Sequence, residues 1–468
     1  MHIEITRLLK LLWQRAADHR TWLDRGVVLA FAALTGLAVV GFTLLAEAAT
    51  HAHAALRERV PGGTWLVLLW TPLLTVGVLW CTRRFAPGAF GSGIPQVVRA
   101  CDEDLPAAQQ RWLVSPLLAL QKIGLVSGGL LAGLSIGREG PTVQVGAGLM
   151  AGARRWLSPR SGIDTHDLMV AGAAAGIAAA FNTPLGGIVF GLEQLTRRRG
   201  IAHSTLVIAV IVLAGLVAVA VFGNVTYFGR LRVQSLDWAL FAPGLLVALA
   251  SGLAGGLFAR LMVLSVRGSA DRFSGWRQRH PYRFAAGCAL AVAVIGLVTQ
   301  GQTAGAGYGP TRALLEGQSD LPGVYTLLKF CATWLSAWTG VPAGMFAPSL
   351  AIGAGIGHDV ATLAELSREA AIPLIALGMV GFLAATTQAP ITAFIIVMEM
   401  VAGHTMVLSL MACAMLAAGV SRLVAGPMYN ELAALIVLPP SAAAEKPEQG
   451  GGGDRPAGEQ SDAAARQA

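Results

Sequence analysis

The sequence predicts an all-α polytopic membrane protein assembled from two related halves of tilted, discontinuous helices. Three observations lead there. Long apolar runs recur along most of the chain, glycine and proline interrupt many of them, and one set of residue spacings occurs twice.

The apolar runs occupy about 26–49, 64–81, 113–136, 167–192, 201–223, 238–265, 284–299, 325–357, 371–401 and 405–425. Several are long enough to cross a bilayer, which takes about 20 residues of helix. By length alone 468 residues could form two or three soluble domains. Only 13% of the residues are charged and 54% are hydrophobic, however, and soluble proteins carry about 25% charged residues. The 57 glycines and 22 prolines imply short and broken helices. Backbone groups freed by a break must find partners inside the protein or in a water-filled cavity, because lipid offers none. The breaks are therefore where a polar pathway is expected, although most of the glycines are read as close-packing positions between helices.

The repeat can be counted. Lys329 lies 207 positions after Lys122, and the same offset relates Gly133 and Gly137 to Gly340 and Gly344, Pro141 to Pro348, and Gly146-Ala147-Gly148 to Gly353-Ala354-Gly355. Pro184 with Glu193 nine positions later is matched by Pro390 with Glu399 nine later, at an offset of 206. Self-similarity over this length implies two structural repeats. In membrane transporters such halves often pack about a pseudo-two-fold axis with a binding site between them. The first half is expected over about 31–200 and the second over about 238–425 within a membrane domain of 26–438, the last part of which, about 429–438, forms a short helix.

Arg7, Lys10, Arg15, Arg20 and Arg25 mark residues 1–25 as a cytoplasmic amphipathic helix with no cleavable signal pattern. Arg83-Arg84, Arg154-Arg155 and Arg197-Arg198-Arg199 are expected on the same side. This bias accounts for the net charge of +8 better than nucleic-acid binding does, since no aromatic residues interleave the basic ones. The tail, residues 439–468, rich in Ala, Gly, Glu and Gln, is expected to be disordered and cytoplasmic. Five isolated cysteines and nine histidines without ligand spacing suggest neither a disulfide framework, a metal site nor a cofactor. An intramembrane serine hydrolase would need a histidine placed for Ser92, and none is evident.

Three segments carry the chemistry. Gly91-Ser92-Gly93-Ile94-Pro95, Gly137-Arg138-Glu139-Gly140-Pro141 and Gly344-Met345-Phe346-Ala347-Pro348 each suit a helix N-terminus, with glycine opening the backbone and proline near the first turn. Such ends present free N–H groups and about half a positive charge, and so bind anions. Ser92 reads either as an anion-binding hydroxyl or as an ordinary N-cap. Only the first half carries charge in its repeated frame. An ionisable residue within a membrane is costly and points to function; a carboxylate at Glu139 can imitate an anion, filling the site when ionised and leaving it when protonated. Tyr429, after the last long run, reads either as an anion donor or as an interfacial aromatic.

Arg83-Arg84-Phe85-Ala86-Pro87 leading into G-S-G-I-P, then G-R-E-G-P, then Ala180-Phe181-Asn182-Thr183-Pro184-Leu185, then G-M-F-A-P and the late Tyr429 resemble, in order, the signature set of the CLC chloride channels and proton/chloride exchangers, over roughly residues 20–438. The resemblance implies the CLC fold of two inverted repeats, a homodimer with one pore per subunit in the bacterial inner membrane, and both termini in the cytoplasm. It implies a chloride site at Ser92, Gly93, Ile94 and Tyr429. The backbone of Arg138, Gly140, Met345, Phe346 and Ala347 would line the outer part, with Glu139 as external gate and proton acceptor. Serine within G-S-G-I-P is the chloride-preferring type.

Two departures from the family pattern bear on coupling. Where the exchangers place two adjacent glutamates this chain has Glu193-Gln194, and Gln194 cannot carry a proton. Gln96 replaces the usual glutamate after G-S-G-I-P. Proton-coupled exchange through Glu139, supplied on the inner side by water or by Glu193 in place of the missing glutamate, and a passive chloride channel in which Glu139 only gates are the two versions that follow.

Overall fold

The computed structural model describes residues 19–196, 204–223, 226–229, 238–268, 271–318 and 322–440. Expectations for residues 1–18, for Arg197 to Arg199 and for the tail from 441 onward lie outside the described residues. The chain divides into two units. Residues 1–436 hold every helix named below; of residues 437–468, the described stretch 437–440 has no regular secondary structure.

Helix α1 (His19–Arg59) is followed by α2 (Gly63–Phe85), α3 (Ile94–Ala100), α4 (Ala107–Leu113), α5 (Pro116–Leu131), α6 (Glu139–Ala153), α7 (Thr165–Phe181), α8 (Pro184–Phe190) and α9 (Ser204–Phe222). The second half comprises α10 (Phe241–Arg267), α11 (Arg272–Arg279), α12 (Pro281–Val298), α13 (Tyr308–Leu315), α14 (Tyr325–Trp338), α15 (Phe346–Leu363), α16 (Arg368–Thr387), α17 (Pro390–Met400) and α18 (Val407–Arg422), after which comes α19 (Met428–Ala434). Eight helices among the described residues are long and apolar enough to cross a membrane. No strand is present among the described residues. Residues 19–25, expected in a separate cytoplasmic helix, are the first turns of α1, a single helix of 41 residues. The last short helix ends at Ala434 rather than near 438.

The broken runs have identifiable causes. The run at 167–192 is α7 followed by α8, and 371–401 is α16 followed by α17. Asn182 and Gln388, 206 positions apart, end α7 and α16 in left-handed conformations with φ of 56° and 52°. Pro184 and Pro390 then open the next helix at its first position, where a missing N–H costs nothing. Pro141 and Pro348 sit at the third position of α6 and α15 for the same reason. Close packing repeats as well: Gly146 lies against the backbone of Gly172, and Gly353 against that of Gly378, which lets α6 approach α7 as closely as α15 approaches α16.

The two halves are joined by reciprocal backbone and carboxylate contacts. Gly137 N–H donates to the Gly344 carbonyl at 2.8 Å, and Gly344 N–H donates back to the Gly137 carbonyl at 3.0 Å. Glu193 accepts from the N–H groups of Ile391 (3.2 Å) and Thr392 (2.7 Å), which open α17. Glu399, its repeat partner, accepts from Leu185 (3.3 Å) and Gly186 (2.8 Å), which open α8. When residue i binds j and the counterpart of j binds that of i, the surfaces are related by an approximate two-fold axis. Each carboxylate thus caps a short helix of the other repeat.

Asp24 near the start of α1 accepts from the backbone N–H (2.8 Å) and hydroxyl (2.6 Å) of Ser158, so Arg154 and Arg155 at the end of α6 share that face with Arg25. Glu47, 23 residues further along α1, lies roughly 34 Å away along the helix.

Two substitutions test this arrangement. Glu193→Ala and Glu399→Ala are each expected to lower the thermal unfolding midpoint in detergent, by similar amounts, since each strands two N–H groups at about 1–2 kcal/mol per lost partner. Gly344→Ala places a Cβ 2.5 Å from the Gly137 carbonyl oxygen and 2.8 Å from Pro141 Cδ; the same assay is expected to show a fall larger than for Gly419→Ala, where a Cβ meets nothing within 4 Å.

Candidate functional site

The site begins with a loop that the sequence holds by its backbone. The Lys122 ammonium on α5, fully buried, donates to the carbonyls of Ala89 (2.6 Å) and Gly91 (2.8 Å). Gln96 closes the turn: its oxygen accepts from Gly93 N–H at 3.0 Å while its NH2 donates to the Phe90 carbonyl at 2.5 Å. An amide supplies a donor and an acceptor at once, which an ionised carboxylate cannot. Gly93, with φ of 101°, is the N-cap of α3; Ser92 is not, which removes the ordinary N-cap reading.

The Ser92 hydroxyl is left buried, makes no hydrogen bond of ordinary geometry and faces the Tyr429 hydroxyl. Tyr429, on the first turn of α19, is 2% exposed and so is not an interfacial aromatic. Its ring stacks on Phe346, centroids 6.3 Å apart and planes 5° from parallel. A side chain at Gly140 would strike Ser92 Oγ, so the first turn of α6 backs directly onto that hydroxyl. Ser92, Gly140, Phe346 and Tyr429, from four separate segments, are thereby brought together, with Gly93 and Ile94 opening α3 beside them.

Glu139 opens α6 with Arg138 as N-cap, as Phe346 opens α15 with Met345 as N-cap, and its side chain has no exposure at all. The N–H groups of Arg138, Glu139 and Ala347 face its carboxylate, so donors from both halves surround it. Oε1 accepts from the Tyr308 hydroxyl, whereas Oε2 has no partner of ordinary geometry. Arg138 sends its guanidinium elsewhere: to Glu47 (3.2 Å) and the Thr43 carbonyl (3.2 Å) on α1 and to the Tyr227 hydroxyl (2.9 Å), with Nε 3.8 Å from Glu139 Oε1. Among the described residues the only full positive charge beside the carboxylate is thus pinned by α1, and the site itself is lined by backbone dipoles.

Two cavities flank this centre. One of about 850 Å³ is lined by Glu47, Arg138, Asn182, Tyr227, Tyr308 and Arg312. A second, of about 530 Å³, is lined by Asp102, His166, Gln194 and Asn430. His166 stands in the first turn of α7, eight residues after Ser158, so the second cavity lies toward the Asp24 face and the first toward the Glu47 face. Gln194 is buried and donates to the Thr387 carbonyl at 3.2 Å. Glu193, expected as an inner proton carrier, does not join that cavity's lining; its carboxylate is engaged by the start of α17.

Tyr227 and Tyr308 escaped the sequence reading. A signal existed: Gly305-Ala306-Gly307-Tyr308 matches Gly91-Ser92-Gly93-Ile94 at an offset of 214, with φ of 61° and 86° at Gly305 and Gly307 against 60° and 101° at Gly91 and Gly93. Lys329, the repeat partner of Lys122, donates to Thr303 (2.9 Å) and Gly305 (2.8 Å) just as Lys122 holds the first loop. Asp164, His166 and Asp167 bring potential metal-ligand atoms within 4.8 Å of one another, although the Asp164 carboxylate already accepts from Asp167 N–H at 2.7 Å as the cap of α7.

A sequence model of the family described as "voltage gated chloride channel" matches residues 73–422. The chain belongs to that family, the CLC proteins. Among its relatives, the H+/Cl− exchange transporter ClcA of Vibrio parahaemolyticus is 30% identical over 383 residues, covering 79% of each chain. ClcA of Cronobacter sakazakii is 29% identical over 450 residues, 90% of this chain and 93% of the relative. In fold the CLC chain is similar to the crystal structure of a slow cyanobacterial Cl−/H+ antiporter, with a TM-score of 0.73 and 22% identity over 88% of this chain and 97% of that one. It is also similar to a CLC-type fluoride/proton antiporter, with a TM-score of 0.70 and 22% identity over 87% and 97%.

Because Lys122 and Lys329 occupy equivalent places, Lys122→Met and Lys329→Met are each expected to lower the thermal midpoint of the purified protein by several degrees, as buried carbonyls lose a charged donor. A neutral outcome for either would mean that its loop is held by the chain around it rather than by the ammonium.

Proposed function

We propose that this CLC protein carries chloride across the bacterial inner membrane in exchange for protons, with Glu139 as the gate. The observation that carries the reading is a fully buried carboxylate at the meeting point of two helix N-termini, between the Ser92–Tyr429 hydroxyls and the Glu47-side cavity. Oriented N–H groups favour an anion there without a fixed cation. A dehydrated chloride would take its donors from Ser92, Tyr429 and the backbone at Gly93, Ile94, Gly140, Met345, Phe346 and Ala347. Arg138 contributes its backbone N–H and, through Glu47 and Tyr227, the rigidity of the turn.

Glu139 competes with chloride for the same dipoles. Ionised, it fills the site; protonated, it loses its attraction to the N–H groups and yields to a second anion. One carboxylate then couples an inward proton to an outward chloride through mutual exclusion. The gathering of Arg25, Arg154 and Arg155 on one face supports a cytoplasmic Asp24 side by the positive-inside rule, with Glu47 outside. Each subunit of a homodimer would have its own pathway, and the apolar outer faces would meet lipid or the second subunit.

A passive channel is the competing reading, and a specific observation favours it. Gln194 cannot bind a proton, and Glu193 is occupied as a helix cap, so the inner side of the pathway has no free carboxylate at either position. Exchange therefore requires protons to enter from the Gln194 cavity through water.

Reconstitution in liposomes under a chloride gradient, with voltage clamped by a potassium ionophore and external pH recorded, separates the two. Uphill proton movement driven by chloride is expected; chloride flux with no proton movement would establish the channel. Glu139→Gln is expected to leave chloride flux independent of pH and to abolish proton movement. In the same assay Ser92→Ala is expected to alter the anion selectivity while flux persists.

A further inference from the structure

We propose that the Tyr308 hydroxyl is the outer latch of Glu139, a positioning group that holds the ionised carboxylate in the pathway. The proposal rests on the reading of Glu139 as the gate and adds what sets the gate's hold. Among the described residues Tyr308 is the one side chain that donates to the buried carboxylate, and it does so through Oε1, while Oε2 has no donor of ordinary geometry. Its ring is half-buried and lines the Glu47-side cavity, so the phenol spans from that cavity to the gate.

The backbone has been shaped to deliver this group. Lys329 holds the loop before α13 by the Thr303 and Gly305 carbonyls, as Lys122 holds the loop before α3 by those of Ala89 and Gly91. Glycines with φ of 86° and 101° cap the two helices, a conformation that residues with a Cβ seldom adopt. The first loop brings the Ser92 hydroxyl to Tyr429; the second brings the Tyr308 hydroxyl to Glu139. One construction, used once in each half, places a hydroxyl at each end of the pathway. Behind Tyr308 the ring is fixed by Tyr227 at a centroid distance of 4.8 Å and by Phe228 at 6.0 Å, and the Arg138 guanidinium lies 5.8 Å from its centroid. The hydroxyl can therefore be removed with the ring's packing kept.

A phenol donates better to a carboxylate than to the protonated acid, so the bond favours the closed gate. The other charged or titratable groups facing this centre are Arg138 on its own turn, Glu47 and His51 from α1, Tyr227, Arg312 on α13 and Tyr429 on α19. Among them only Arg138 reaches the carboxylate within 4 Å, and its hydrogen bonds run to Glu47, Thr43 and Tyr227 rather than to the Tyr308 hydroxyl. Without the latch less acid is needed to free the gate, and the flux profile moves toward alkaline pH.

The experiment compares initial chloride efflux from liposomes over about pH 4.5 to 7.5 for the full chain, Tyr308→Phe, Glu139→Gln and the double variant. Tyr308→Phe is expected to raise flux near neutral pH about tenfold and shift the profile by about one pH unit, the scale of one hydrogen bond to a charged group. In the Glu139→Gln background the same change is expected to do nothing. A Tyr308→Phe profile that overlays the wild type, with Glu139→Gln flat, overturns the latch and leaves the gate standing. An equal gain in both backgrounds also overturns it, since the ring would then be shaping the pore. A Glu139→Gln protein that keeps the wild-type pH profile sinks the gate reading itself, and the latch with it. If the phenylalanine variant fails to assemble, Tyr308→Leu is read by the same criteria.

Discussion

A helix interrupted inside a membrane leaves N–H and carbonyl groups that lipid cannot satisfy, and in this chain several interruptions of one half are closed by the other half. Gly137 and Gly344 exchange backbone hydrogen bonds at the crossing. Glu193 and Glu399 reach across to the openings of α17 and α8. The openings of α8 and α17 and the crossing at Gly137 and Gly344 therefore draw on both repeats at once. The pathway inherits its position from this mutual dependence: α6 and α15 must begin where their glycine frames pair, and their N-termini therefore converge.

Convergence of dipoles without a fixed cation has a kinetic consequence. A lysine or arginine in the site would bind an anion tightly and slow its departure; partial charges near half a unit at each helix start bind more weakly. The chain has placed its local cations accordingly. Lys122 and Lys329 are spent on carbonyls, and Arg138 is drawn toward Glu47, Thr43 and Tyr227. Polar strength is used to hold loops, and what remains at the centre is adjustable by one carboxylate.

Much of this was legible in the residues. The repeat at 207 and 206 positions, the prolines at helix starts and the lone charged frame around Glu139 all follow from spacing, and the ordered signature motifs pointed to the right family. Hydropathy alone ran α7 into α8 and α16 into α17, because it does not register one left-handed residue at Asn182 or Gln388. The paired glutamates were visible as a spacing, yet nothing in sequence says that each caps the opposite repeat. Tyr308 meets Glu139 across 169 positions. Its loop was hidden because the repeat was counted from Lys122, after the register between the halves had already changed from 214 to 207.

That change of register has a source in the fold. From Gly93 to Lys122 the first half has 29 positions, and from Gly307 to Lys329 the second has 22. The difference of seven equals the length of α4, Ala107–Leu113, which has no counterpart in the second half. Within the paired helices from Lys122 to Gly148 the halves stay in step to the residue. The bilayer thickness acts as a ruler on those segments, whereas the turn carrying the exposed Glu103, Asp104 and Pro106 answers to water and has been free to drift. The largest length difference between the halves thus falls where Asp102, Glu103 and Asp104 line the Gln194 cavity, so lengthening or shortening that stretch reshapes the mouth of the pathway and leaves the paired helices in register.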